Sequence, residues 1–277
     1  MTPNSPLAIL TAYADAFREL VNARVWGKDE SQVKALRLNS SEDWDFLCVA
    51  MDVIGDAALA IDHFLRFSLD GPTRYVDIGE RYLRLYGVLS ATYVQQEAVV
   101  KLYFLMNCPN PKDIQSVINN LEIRTFRHQL ASHSVDFRQS KGAQLRSFVP
   151  VRVSLSGFAC TISEGRGNSE RTVKLDDALN EHCRTMISIL DRIYEKSIRT
   201  LFRNHRRRTH EFNKKLADLR FIRDGNMLFR LGDASKPTEI RIVFVKPKEP
   251  HMSPDNENDL TKKDSGDRTR TFQACDD

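Results

Sequence analysis

A chain of 277 residues, 41% hydrophobic and 28% charged, is long enough for one embellished domain or two small ones around a sizeable core. A net charge of +4 is too small to name a partner, so only its distribution along the chain is informative. The five cysteines, at positions 48, 108, 160, 183 and 275, make no C-x-x-C pair and are odd in number, which argues against a disulfide framework or zinc ribbon and for a reducing cytoplasm.

At the N-terminus, Leu7, Leu10, Ala14, Phe17 and Val21 recur at helical spacing and predict a first helix over about 7–23. Asp15 and Glu19 lie within it, and a basic start and cleavage site are lacking, so it does not read as a signal peptide. No run reaches about 18 uncharged apolar residues, and no membrane span is expected. Ser40 or Ser41, followed by Glu42, Asp43 and Asp45, suits the start of a second helix to about Phe67, with Phe46, Val49, Val53, Ala57 and Ile61 along one face. Gly71-Pro72 ends it.

A third helix, from about Arg74 to Met106, is apolar on most sides, which suits a central place in a bundle. Gln95, Gln96 and Glu97 interrupt it, with Gln96 or Glu97 a candidate to orient a neighbouring site residue; Tyr82, Tyr86, Tyr93 and Tyr103 read as core. Asn110 and Pro111 open a fourth helix, whose Ile114, Val117, Ile118 and Leu121 lead directly into the segment IRTFRHQLASHS at 123–134.

Beyond that segment the period changes to two. Val149, Val151, Val153 and Leu155 predict a strand, EGRGNSER a turn and Thr172–Leu175 its partner, giving a β-hairpin over about 147–175. A long helix resumes at Asp176 and is expected to reach about Arg220. Ile240–Val245 reads as a late strand within a short mixed segment at 221–246. Residues 247–277 are polar, include Pro247, Pro250 and Pro254, and are expected to be disordered. The expected fold is mainly α: a helical bundle over about 5–220 with an inserted β-hairpin and a short mixed C-terminal segment.

The chemistry concentrates in the segment at 123–134. Histidine titrates near neutral pH and serves as proton donor or acceptor; arginine stays charged and offers a planar fork that matches two phosphate oxygens. Arg127 followed by His133 is therefore a minimal kit for cutting RNA without a metal, which needs a base for the 2′-hydroxyl, an acid for the leaving oxygen and cations at the phosphorus. On a continuous helix these two residues would lie about 120° apart, so the reading requires the helix to end or loosen near Ala131-Ser132. Arg124 and His128, four apart, form the local rival pair on one helical face.

The segment, with an apolar helix before it and small residues inside it, resembles the Arg-to-His signature of HEPN domains, a family of helical bundles. That resemblance implies a HEPN-like bundle, metal-independent endoribonuclease activity with His133 as general acid/base and Arg127 on the scissile phosphate, and pairing of two copies in a homodimer. It also carries an association with phage defence or toxin-like effectors. The family usually has Asn or another small polar residue after the arginine; here that position is His128, which joins Ser134, Gln96 and Glu97 as supporting residues.

A second match to the spacing, Arg203 to His210, lies in a strongly basic stretch. Lys196 to Arg223 carries ten Lys and Arg against Glu211 and Asp218. Arg203, Arg206, Arg207, Arg208, Lys214 and Lys215 are candidate RNA contacts there, and the alternative function is a non-catalytic RNA- or protein-binding module that uses this stretch. No Walker, dinucleotide-binding, H-E-x-x-H or G-x-S-x-G motif occurs, so no cofactor or metal is implied.

Overall fold

Local capping fixes the first boundaries. In the computed structural model, which describes residues 5–27, 29–73, 75, 77–138, 143–165, 167, 169–231 and 238–244, helix α1 spans Pro6–Val25. Ser5 accepts a hydrogen bond from the Ala8 N–H at its start, with proline in the first turn where no N–H is needed. A short α2, Gln32–Leu36, starts at Ser31 and was not foreseen from the sequence. Helix α3, Ser41–Phe67, is capped by Ser40, and the acids Glu42 and Asp43 complement its N-terminal dipole. Its buried face matches the expected one only at Ala57 and Ile61. Leu47, Ala50, Ile54, Ala58 and Ile61 point inward, while Phe46 and Val49 are 48% and 59% exposed. Both stripes have helical spacing, and only the neighbours decide between them.

Helix α4, Ile78–Leu105, packs against α3 along its length and also meets α5, α6 and α7, the central place its apolar composition suits. The fourth helix of the sequence reading is three pieces. Helix α5 covers Pro111–Asn119, α6 covers Glu122–Arg127, and a π-helical turn covers His128–Ser132. Asn110 precedes α5 with φ +55°, a left-handed conformation that asparagine tolerates, and makes no side-chain cap.

The expected hairpin is a three-stranded antiparallel sheet, β1 Phe148–Pro150, β2 Ala159–Glu164 and β3 Ser169–Lys174, in the order β1-β2-β3. The alternating valines do not continue the first strand. After Pro150 the chain makes a 3₁₀ turn at Arg152–Ser154, Val149 and Val153 face solvent, and the main pairing is Ala159–Glu164 with Ser169–Lys174. In the register Phe148 opposes Glu164, which opposes Ser169; Ile162 opposes Arg171. Phe148, Ile162, Glu164, Ser169 and Arg171 therefore share one face.

The long C-terminal helix is also broken. Helix α7 spans Leu175–Leu201 and α8 spans Arg206–Arg223. At the break Phe202 turns inward against Phe212, ring centroids 5.0 Å apart, and its carbonyl accepts from the Thr209 hydroxyl and the His205 N–H. Helix α8 folds back on α1 and α7. Strands β4, Met227–Leu231, and β5, Thr238–Ile242, pair antiparallel; the sequence suggested only the second. The described residues from Ser5 to Val243 form one compact unit. The tail expected to be disordered, 247–277, lies outside the described residues.

One core of α1, α3, α4, α7 and α8 residues, including Tyr13, Phe17, Tyr194, Phe202 and Phe212, holds the bundle together. Each such ring or Leu contributes about 1.5–3 kcal/mol by leaving water. A buried charge ties α8 to it. Asp191 on α7 accepts from the Tyr13 hydroxyl at 2.7 Å, from Arg220 Nε and Nη2 at 2.9 and 2.6 Å, and from Arg223 at 3.3 Å. Burial opposes ionisation of this carboxyl, but the hydrogen bonds from Arg220 and Tyr13 outweigh it and hold its pKa below the usual carboxylate value.

Replacing Asp191 with Ala strands the Tyr13 hydroxyl and removes the carboxylate that Arg220 and Arg223 share, leaving them Glu195 and Asp224. Because the arginines are about one-third exposed and water partly compensates them, the expected loss is about 2–4 kcal/mol of unfolding free energy, read from a urea midpoint. Tyr13→Phe removes one hydroxyl and is expected to cost about 1 kcal/mol. An unchanged midpoint for Asp191→Ala would contradict the anchoring role.

Candidate functional site

The site grows from a change of helical register. Through α6 the backbone is α-helical; at His128 the repeat lengthens, and the His133 N–H donates to the His128 carbonyl at 2.9 Å, five residues back. The expected loosening is present, but it begins at His128 and is a wider turn of helix. It brings the rings of His128 and His133 to 6.3 Å between centroids at an interplanar angle of 32°. Within the turn Gln129 and Leu130 are both buried, Leu130 in the core and Gln129 against Arg171 of β3.

The two histidines line a cleft of about 840 Å³ between the π turn and the sheet. Its opposite wall is the shared face of the strands, with Phe148, Ile162, Glu164 and Arg171, together with Arg138 and Arg146. A bridge between Phe137 and Arg146, two backbone hydrogen bonds of 2.9 Å, closes one end. The Ser134 carbonyl accepts from the Phe148 N–H at 2.7 Å, so this supporting residue joins turn to sheet through its backbone.

Arg127 does not line this cleft. Its guanidinium lies 3.9 Å from the centre of the Tyr93 ring, and Nη1 sits 3.4 Å from His128 Nδ1. An arginine can only donate, so Nδ1 is the acceptor and the neutral His128 ring carries its proton on Nε2. His133 Nδ1 lies 3.4 Å from the Asp136 carboxylate, an arrangement that favours the proton on Nδ1 and leaves Nε2 open. Arg127 and His133 are thus linked through His128, not by direct contact. Burial, then the nearby charges of Arg124 and Arg127, lower the His128 pKa below the ordinary histidine value.

Behind the site runs a polar network through the core. Gln95 donates to the Ile54 carbonyl at 2.9 Å, which turns its own oxygen toward His182 Nε2 at 2.8 Å. That nitrogen must then carry the proton, and His182 Nδ1 accepts from Gln96 at 3.2 Å. The Gln96 oxygen in turn accepts from Arg124 Nη1 at 3.0 Å, and Glu97 pairs with Arg124 at 2.9 Å. His182 is wholly enclosed, and burial pushes its pKa down to about 3, so it stays neutral at physiological pH. Gln96 and Glu97, expected to orient Arg127 or His133, hold Arg124 instead. Arg124 and Arg127 share Tyr93, with Arg124 4.8 Å from the ring centre. The rival pair of Arg124 and His128 is therefore divided between core and cleft.

The basic stretch has a different fate. Lys215 pairs with Glu19, Lys214 with Glu239 at 3.0 Å and Arg208 with Glu211 at 3.0 Å, in addition to the Asp191 anchor. Arg203, Arg206 and Arg207 remain exposed, with no ion pair among the described residues. His210 is exposed on α8 and lines none of the clefts described here. Sequence reasoning missed Tyr93, Asp136, His182 and the sheet arginines. The alternation of Ile162 with Glu164, and of Ser169 with Arg171, was the available signal for the sheet wall.

Among the described residues no group of three or more His, Cys, Asp or Glu converges in a manner suited to a metal ion. No described helix is long and apolar enough to cross a membrane. No family model matches the chain, and neither the curated proteins nor the solved structures yield a match to it.

The His128 environment is directly measurable by NMR titration of the histidine ring carbons. His128 is expected to titrate below about 6.5, and Arg127→Gln, which removes a neighbouring positive charge, to raise its midpoint. A midpoint that stays in place in Arg127→Gln would contradict the coupling.

Proposed function

We propose that the protein is a HEPN-like helical bundle that acts as an endoribonuclease, cleaving RNA with imidazole groups and arginine charge and without a metal ion. The observation that carries this reading is the π turn, which places two histidines side by side on a cation-lined cleft. In this mechanism His133, oriented by Asp136, takes the proton of the 2′-hydroxyl through Nε2 as its oxygen attacks the phosphorus. His128 in its protonated form gives the Nε2 proton to the departing 5′-oxygen. The low pKa that burial and the arginines impose makes it a stronger acid, though less populated at neutral pH. Arg127 holds the neutral His128 ring through Nδ1 and adds positive field behind it. A place in phage defence or toxin-like action rests on the family resemblance alone.

The resemblance also implies a homodimer. The outer face of α4 supports one, since Leu83, Tyr86, Val94 and Phe104 are exposed there at helical spacing. We expect light scattering to give about twice the 31.8 kDa chain mass, and Val94→Arg to return it to one chain. A wild-type mass of one chain would remove the dimer from the proposal.

For the chemistry, purified protein is expected to cut single-stranded RNA in EDTA, leaving a cyclic phosphate and a 5′-hydroxyl, with a bell-shaped pH profile. His128→Ala and His133→Ala are each expected to lower the rate by about 10²–10⁴-fold, while His210→Ala leaves it unchanged. Cleavage that survives both cleft variants would overturn the assignment. RNA binding with no cleavage, lost in an Arg203/Arg206/Arg207 triple alanine variant, would favour the binding-module reading.

A further inference from the structure

We propose that the sheet wall of the cleft, through Arg138, Arg146 and Arg171, is a second phosphate subsite that holds the backbone of a single-stranded RNA beside the histidine pair. This rests on the ribonuclease reading of the cleft and adds to it a wall that the Arg-to-His segment does not contain.

The placement follows from backbone geometry. Strand alternation puts Arg171 on the same face as Ile162 and Glu164, directly across the cleft from the π turn. The Phe137–Arg146 bridge fixes Arg146 at the end of that wall, with its guanidinium carbon 5.9 and 5.6 Å from the Phe137 and Phe148 ring centres. Arg138, the next residue after Phe137, is exposed at the mouth. Three arginines thus line the same cleft as the two histidines, and Glu164 is the one carboxylate among the lining residues.

The partners of Arg171 leave capacity for a ligand. Arg171 meets Glu122 at 3.2 Å and Gln129 at 3.3 Å, and Arg146 meets Glu164 at 3.4 Å, all long for charge-assisted hydrogen bonds. Arg171 and Glu122 are nearly half exposed, so their pairing is weak. The Arg171 guanidinium has five N–H donors, more than its contacts to Glu122 and Gln129 use. An incoming phosphate can be met without breaking a strong pair.

The size of the cleft favours a single strand. A volume of about 840 Å³ accommodates a few splayed nucleotides, whereas a duplex is a rigid cylinder that keeps its phosphates on its outside. Arginines on one wall and imidazoles on the other suit a chain threaded between them, with the phosphate under attack at the histidines and a neighbouring one at the arginines.

The test separates binding from cleavage. A fluorescent single-stranded oligonucleotide methylated at every 2′-oxygen cannot be attacked, and its anisotropy with the full-length protein reports affinity alone. Arg138→Ala, in which no described ion pair is lost, is expected to weaken binding by about 3–10-fold, and its double variant with Arg171→Ala further. The double variant is also expected to flatten the dependence of log affinity on log salt by about 0.7 per lost phosphate contact. With unmodified RNA, KM is expected to rise in Arg138→Ala while kcat changes little. Equal affinity of wild type and variants, no binding at all, or tighter binding of the same oligonucleotide as a duplex would each overturn the subsite. Wild-type binding that depends on the arginines, without cleavage of unmodified RNA, would sink the ribonuclease reading and leave the subsite standing.

Discussion

The candidate site depends on one backbone hydrogen bond, from the His133 N–H to the His128 carbonyl. With α-helical spacing, residues five apart are separated by about 140° around the axis, and the two rings would point away from each other. The π register brings them instead to 6.3 Å between ring centroids, tilted by 32°. It also redirects the chain as it leaves the helix, so that Ser134 reaches Phe148 and Phe137 reaches Arg146. The same local widening aligns two proton carriers and attaches the sheet that faces them.

Such a turn needs support because its backbone geometry is less favourable than that of an α-helix. Part of the support is apolar, with Phe126 and Leu130 buried on either side of the register change. The rest is the polar chain from Ile54 through Gln95, His182 and Gln96 to Arg124. Every member has its donors and acceptors assigned by its neighbours, and the low local dielectric makes each of these bonds costly to lose. Tyr93 then lets two arginines lie close together on one aromatic ring despite their like charge.

Much of the scaffold was legible in the sequence because its signals are local. Ser40 followed by acids, proline at position 111 and the long apolar run of α4 each mark a boundary or a location by nearby chemistry. The rest depended on partners distant along the chain. Phe46 and Leu47 both belong to helical stripes, and packing alone selected Leu47. The break at Phe202 follows from Phe212 folding onto it, and the pairing of Lys215 with Glu19 spans nearly the whole bundle. In the site, the histidines and their arginine were visible as residue types, but a π turn has no composition of its own. His182 gave no sign of its role, because the glutamines that enclose it come from another helix.

The contact between Arg171 and Gln129 has a mechanical consequence. It joins the two sides of the cleft, with one end on the sheet and the other inside the π turn. The backbone bonds from Phe148 to Ser134 and between Phe137 and Arg146 tie the same two edges, so the fold itself sets their separation. A groove with a set width selects by the thickness of what enters it, before any base is read.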